Sequence, residues 1–177
     1  SRNLDKQTDK NKKDEFMAMK ICLDALGAFC LKYAKALERR ANHCDNEVLK
    51  ERLIIKAQCM KHISSEAPQT LLQALQLLFF SHFIDQLDCR GDASSFGRVD
   101  QLLYPFYQRD IEAGTLTRQS AFELVCHFIV KNWKPQASCN MTIGGLKPDG
   151  SDAVNDVSYL FLEGMAQTNT VVDLSVR

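Results

Sequence analysis

The sequence has no surplus of either charge: Lys+Arg and Asp+Glu each total 22 in 177 residues. Phosphate binding needs a basic excess on one face, so nucleic acid is not the expected partner. No apolar run is long enough to cross a bilayer, and the first residues are polar and charged, so neither a membrane nor an export route is expected. The seven cysteines (Cys22, Cys30, Cys44, Cys59, Cys89, Cys126 and Cys139) include no C-x-x-C pair. An odd, scattered set is not a disulfide framework, and several sit within apolar helical patterns where a thiol packs as a small hydrophobe. A reducing, cytoplasmic setting is the reading. Internal repeats and low-complexity segments are absent as well.

What remains is mostly helical pattern. Residues 1–13 read as a flexible polar terminus. Beyond them Phe16, Met19, Leu23, Leu26, Cys30, Tyr33 and Leu37 recur at steps of three and four, one stripe of a long helix. Asp45 is a candidate N-cap for a second helix with the stripe Leu49, Leu53, Ala57 and Met60. Pro68 breaks the pattern, and Thr70 with Gln73 forms a capping-box pair. The helix that follows, LLQALQLLFFSHFIDQL, is apolar nearly all round and implies burial on every side in a larger body.

Next come a loop, DCRGDASSFGR, and a helix from Val99 to Ile111 that contains Pro105. Gly114 suits a C-terminal cap, and Thr117 suits the N-cap of a helix with the core face Ala121, Leu124, Val125, Phe128 and Ile129. Pro135 ends that helix. Residues 140–150 read as a short extended piece with glycine-rich turns, followed by a helix from about Ala153 to Glu163. At the end Val172, Leu174 and Val176 alternate with Asp173, Ser175 and Arg177, the period of a strand with two different faces. No upstream strand of equal length is evident as its partner.

Chemistry is scarce. Arg90-Gly91-Asp92 is a three-residue match close to chance. Cys59 and His62 have C-x-x-H spacing without two further ligands, so no metal site is expected. His82, among Phe79, Phe80 and Phe83, reads as a satisfied core histidine. Gly144-Gly145 lacks the Lys-Ser/Thr of a P-loop and reads as a tight turn needing positive φ.

One ordered series of motifs is specific. It runs Leu75-Gln76-Leu77-Leu78-Phe79-Phe80, Ser95-Phe96-Gly97-Arg98-Val99-Asp100-Gln101, Tyr104-Pro105-Phe106-Tyr107-Gln108-Arg109-Asp110, Ala113-Gly114-Thr115-Leu116-Thr117 and Thr142-Ile143-Gly144-Gly145. Asp149-Gly150 with Asn155-Asp156 and the closing Leu174-Ser175-Val176-Arg177 complete it. The series resembles the glycyl radical enzymes, the family of pyruvate formate-lyase (formate acetyltransferase) and its dehydratase relatives. It is strongest over residues 71–177 and in register through the two earlier helices.

The resemblance implies a mainly α chain with a few short strands, an internal fragment of a ten-stranded α/β barrel. Residues 14–177 would all belong to that one domain. It also implies anaerobic metabolism, a glycyl radical installed by a radical-SAM activating enzyme, a thiyl cysteine that takes hydrogen from substrate, and a homodimeric parent. None of the seven cysteines has the family's Gly-Cys-Val/Ile-Glu context, and no glycine its Arg-Val-x-Gly-Tyr/Phe loop. The chain is therefore expected to hold no cofactor and to be inactive alone. It would serve as scaffold and substrate wall of a dehydratase or lyase acting on a small polar metabolite, with the remainder of the barrel as its partner. The alternative is a non-catalytic helical interaction module or degenerate relative.

Two residues are expected to meet substrate. Asp92 matches a position where the glycerol dehydratase branch has the first of a His-Ser pair, and Ala93 the second. Arg177 matches a tryptophan near the substrate of pyruvate formate-lyase, and its planar fork suits a carboxylate. The alternative is structural: Asp92 caps the helix starting near Arg98 or sits in solvent, and Arg177 pairs with a nearby acid.

Overall fold

The computed structural model describes residues 10–88, 94–133, 139–170 and 172–177, in two compact units that divide after Ala67. Arg90-Gly91-Asp92, Ala93 and Pro135 lie outside the described residues.

The first unit is a helix pair. Helix α1 spans Lys10–Asn42 and begins within the stretch read as a polar terminus; α2 spans Glu47–Ile63. The N-cap of α2 is Asn46 and not Asp45: its Oδ1 accepts from the Leu49 amide at 3.0 Å. Either residue type can cap, so the chemistry was legible and the position was not. Helix α2 buries Leu53, Ala57, Cys59, Met60 and Ile63, while α1 buries Cys30, Ala34 and Ala41. At 1.5 Å per residue the 17-residue α2 can cover only about half of the 33-residue α1. Met19 and Leu23 of the predicted stripe are accordingly exposed. Gly27 marks the closest approach, since a Cβ there would collide with the Ser64 carbonyl oxygen.

The second unit carries the sheet. Helix α3 (Leu71–Asp88) leads to β1 (Ser94–Arg98), α4 (Val99–Glu112), α5 (Arg118–Asn132), β2 (Cys139–Ile143), α6 (Asp156–Thr168) and β3 (Asp173–Val176). The strands form one parallel sheet in the order β1-β2-β3. Parallel neighbours need crossover connections, and α4 with α5, then α6, supply them. Two expectations are corrected here. The second half of DCRGDASSFGR is a strand, although Ser-Ser-Phe-Gly-Arg has little strand propensity. And β3 does have a partner: Asp173 to Val176 pair residue for residue with Asn140 to Ile143.

The caps show why the helices stand where they do. Gly114 (φ 68°) follows α4 in a Schellman arrangement, its amide on Ile111 O and the Thr115 amide on Asp110 O, both 3.0 Å. Thr117 caps α5 through the Ser120 amide at 3.1 Å. Helix α6 starts at Asp156 rather than Ala153, because Asn155 and Ser158 form a full capping box. At α3, Thr70 Oγ1 accepts from the Gln73 amide, but Gln73 Oε1 reaches back to Gln69 and not to Thr70. A buried carboxylate completes that turn: Asp110 Oδ2 accepts from the Leu71 amide at 2.7 Å.

The core joins Leu71 and Leu75 of α3, Val99 and Leu103 of α4, Val125 and Ile129 of α5, and Leu160 and Phe161 of α6. From the sheet come Cys139, Met141 and Ile143 of β2. Helix α3 is not enclosed within the described residues: Leu71, Ala74, Leu75 and Phe80 are buried, while Leu77, Leu78 and Phe79 are half-buried and Leu87 is exposed.

Candidate functional site: the bare face of the sheet

Alternation along β2 decides what each face can do. Cys139, Met141 and Ile143 point into the helical core, so Asn140 and Thr142 point to the opposite face. Lateral register extends this rule. Met141 pairs with Leu174, which packs on the core; Asn140 pairs with Ser95 and Asp173, and Thr142 with Ser175. The face turned from the helices therefore carries Ser95, Asn140, Thr142, Asp173 and Ser175, with Arg177 continuing the row.

That face is polar and uncovered among the described residues. Ser95, Asp173, Ser175 and Arg177 are exposed, and Asn140 and Thr142 half-buried. Its members are joined laterally: Asn140 Nδ2 donates to Ser175 Oγ at 3.3 Å, and Ser95 Oγ to the Asn140 carbonyl at 3.3 Å. Parallel sheets are ordinarily covered on both faces and read as apolar throughout. A second apolar layer would strand these amides and hydroxyls without partners. The face suits a space filled by water or a polar ligand.

The carboxyl ends of the strands are held by charge. Asp100, fully buried, accepts through Oδ2 from the Gly144 amide at 2.7 Å and from Ser158 Oγ at 2.6 Å. Its Oδ1 accepts from the Gln101 amide at 2.7 Å. Arg98 donates from Nη2 to the Gly144 carbonyl at 2.6 Å and from Nη1 to the Leu146 carbonyl at 3.0 Å. Gly144 (φ 72°) and Gly145 (φ 89°) make the turn these side chains grip, as the tight-turn reading anticipated.

Of the two predicted substrate residues, Arg177 ends the polar row and is exposed; Asp92 lies outside the described residues. His82 is half-buried, with Nδ1 2.8 Å from Ser94 Oγ and its ring 4.2 Å from that of Phe96, a satisfied histidine. Cys59 is buried and His62 Nε2 lies 2.9 Å from Ala67 O; the described residues contain no metal-ligating cluster. Burial, with Asp173 nearby, pushes the Cys139 thiol up to about 12, and its side chain faces the core. Sequence reasoning missed Asn140 and Thr142, although the alternation Cys-Asn-Met-Thr-Ile was the available signal. It used Arg98 and Asp100 only as motif letters.

A parallel sheet backed by helices is the layer arrangement of an α/β fold. Comparison with known proteins specifies which. The family model described as pyruvate formate lyase-like matches residues 1–177, and the chain belongs to that family. It is 33% identical over 174 residues to (2S)-3-sulfopropanediol dehydratase of Klebsiella oxytoca, covering 89% of this chain and 21% of that protein. With trans-4-hydroxy-L-proline dehydratase of Clostridioides difficile it shares 33% over 178 residues, covering 91% and 23%.

Among solved structures, a glycyl radical enzyme of Archaeoglobus fulgidus superposes with a TM-score of 0.86 at 28% identity, over 99% of this chain and 25% of that one. The glycerol-bound, B12-independent glycerol dehydratase of Clostridium butyricum gives 0.88 at 26%, over 99% and 25%. Three of these four proteins are named as dehydratases of small polar molecules, and the fourth as a glycyl radical enzyme. The chain spans about a fifth to a quarter of their length. No helix among the described residues is long and apolar enough to cross a membrane.

Proposed function

We propose that the chain provides scaffold and one substrate-facing wall of a glycyl radical dehydratase or lyase that acts on a small polar metabolite. The observation that carries this reading is the open row Asn140, Thr142, Ser175 and Arg177, backed by a helical core, in a chain of this family. Hydroxyl, amide and guanidinium groups suit a substrate rich in hydroxyls with a carboxylate, because each lone pair and proton taken from water is met by a fixed partner. Arg177 would hold the carboxylate through two parallel N–H donors. Asp92, on sequence grounds, would face the same site and meet an amine or hydroxyl. A carboxylate in a closed site is costly unless it is paired. An amino acid or comparably polar molecule is then preferred over glycerol or pyruvate.

When present, the glycyl radical supplies the hydrogen-abstraction chemistry of such enzymes. No cysteine or glycine of this chain stands in the family's context for that chemistry, so these residues bind and orient and do not react. A radical-SAM activating enzyme, the rest of the barrel and a second subunit are the proposed partners, in the cytoplasm of an organism living without oxygen.

The test takes the activated full-length enzyme through trans-4-hydroxy-L-proline, (2S)-3-sulfopropanediol, isethionate and glycerol. Asp92→Asn and Arg177→Ala are then compared on the best of these. The reading expects each variant to lose at least about tenfold in kcat/KM, the scale of one charged contact. Unchanged kcat/KM in both variants ends it.

A further inference from the structure

Arg177 is the residue of the polar row best suited to a carboxylate, yet it sits beyond the last paired strand residue. Two backbone bonds hold it. Its amide donates to the Ile143 carbonyl at 3.1 Å, and its carbonyl accepts from the Gly145 amide at 3.0 Å. The groups it meets belong to two successive peptide units, Ile143–Gly144 and Gly144–Gly145.

Each of those units is gripped on its other side by a charge. The amide of the first, Gly144 N–H, donates to the Asp100 carboxylate at 2.7 Å. The carbonyl of the second, Gly144 C=O, accepts from the Arg98 guanidinium at 2.6 Å. An anion on the N–H of a peptide polarises its carbonyl toward a stronger acceptor. A cation on a carbonyl likewise makes the N–H of that peptide a stronger donor. The signs are the ones that strengthen both bonds to Arg177.

The approach is tight at Gly144 and an ordinary contact at Gly145. A Cβ at Gly144 would stand 2.7 Å from the Arg177 carbonyl oxygen, and one at Gly145 would lie 3.4 Å from Arg177 Cβ and 3.6 Å from Arg98 Nη2. Neither charge forms an ion pair among the described residues. The partners of Asp100 are Gly144, Gln101 and Ser158, and those of Arg98 are two carbonyls, with Nε buried and unpartnered. A buried charge held only by neutral dipoles is costly, and fully buried Asp100 is spent, with half-buried Arg98, on one turn.

We propose that Arg98 and Asp100 are positioning residues which clamp the two peptide units of the Gly144–Gly145 turn from opposite sides and thereby fix Arg177 in the substrate wall. The last clause rests on the wall reading above; the clamp does not.

The test reads amide hydrogen exchange residue by residue, by electron-transfer fragmentation, in the full-length enzyme. Asp100→Asn should speed the Arg177 amide by at least about tenfold and more than it speeds Gly145. Arg98→Met should do the reverse, and Arg98→Lys, which keeps a cation on the Gly144 carbonyl, should restore most of the protection. Equal acceleration along all three strands in either variant marks a general loss of structure and overturns the clamp. So does unchanged exchange at both amides. If Asp100→Asn does not fold, the Arg98 pair decides the question.

Positioning is then read with trans-4-hydroxy-L-proline as the probe, by calorimetry on unactivated enzyme. Asp100→Asn should weaken binding about fivefold, and less than about twofold when added to Arg177→Ala, because coupled groups are not additive. Equal losses in the two backgrounds overturn action through Arg177. Probe binding unaffected by Arg177→Ala overturns the wall reading, and the exchange pattern still decides the clamp.

Discussion

Replacing Asp110 with alanine removes a carboxylate that joins α4 to the start of α3. Asp110 is 7% exposed, and its Oδ2 accepts from the Leu71 amide at 2.7 Å, 39 residues away. Leu71 is the first residue of α3, so this amide has no acceptor within the helix. A hydrogen bond to a charged group contributes about 1.5–3 kcal/mol net. The interaction of a carboxylate with a helix N-terminus, about 0.3–2 kcal/mol, is largely the same electrostatics and is not added again. Alanine also relieves the desolvation of the carboxylate, which places the net loss at about 2 kcal/mol. Asp110→Asn keeps an acceptor without the charge and should lose about half of that, on the same scale. Urea unfolding followed by circular dichroism measures both, provided the slope of stability against denaturant is unchanged. An alanine variant within about 0.5 kcal/mol of the parent, the range of ordinary surface substitutions, would refute the assignment.

Gly144→Ala should cost about 3 kcal/mol, from about 1–2 kcal/mol of left-handed backbone strain plus a collision with the Arg177 carbonyl. Gly150→Ala, at φ 83° with open space around it, should show the strain alone in the same unfolding experiment. At pH 8 the Cys139 thiol, pushed up to about 12, should resist iodoacetamide while exposed Cys22 reacts; equal labelling rates contradict its burial. Because the folded state raises that thiol above its ordinary value of 9.0, the associated stability is complete below pH 9 and is lost between pH 9 and about 12. The 177-residue chain with a radical-SAM activase and no other protein should show neither turnover nor a glycyl radical signal by electron spin resonance; either one contradicts the reading.

Local chemistry was what the sequence displayed best. Thr117 and Gly114 were legible because a cap is decided within a few residues of itself. The facing of Asp173 and Ser175 followed from a period of two. Strand β1 was hidden because Ser94–Arg98 owes its extended form to pairing with β2, 45 residues away, and not to its own residue types. The partner of β3 was overlooked for the same reason: five residues with one glycine-rich end signal little until the neighbours are known. Asp100 and Arg98 were further out of reach. Apart from the adjacent Gln101, their partners lie 44 to 58 residues along the chain, and only the fold brings Gly144, Leu146 and Ser158 to them. The family's motif series nevertheless carried both residues, so resemblance located what spacing could not explain.

The polar face of the sheet is the centre of the account, and a crystal structure of the full-length enzyme with its substrate bound tests it most directly. Asn140, Thr142, Ser175 and Arg177 should face an enclosed, solvent-filled or substrate-filled space bounded by further strands, with the Arg177 guanidinium within hydrogen-bond reach of the substrate or of one bridging water. Finding this face packed against an apolar layer, or turned to the outer surface of the enzyme, would contradict it.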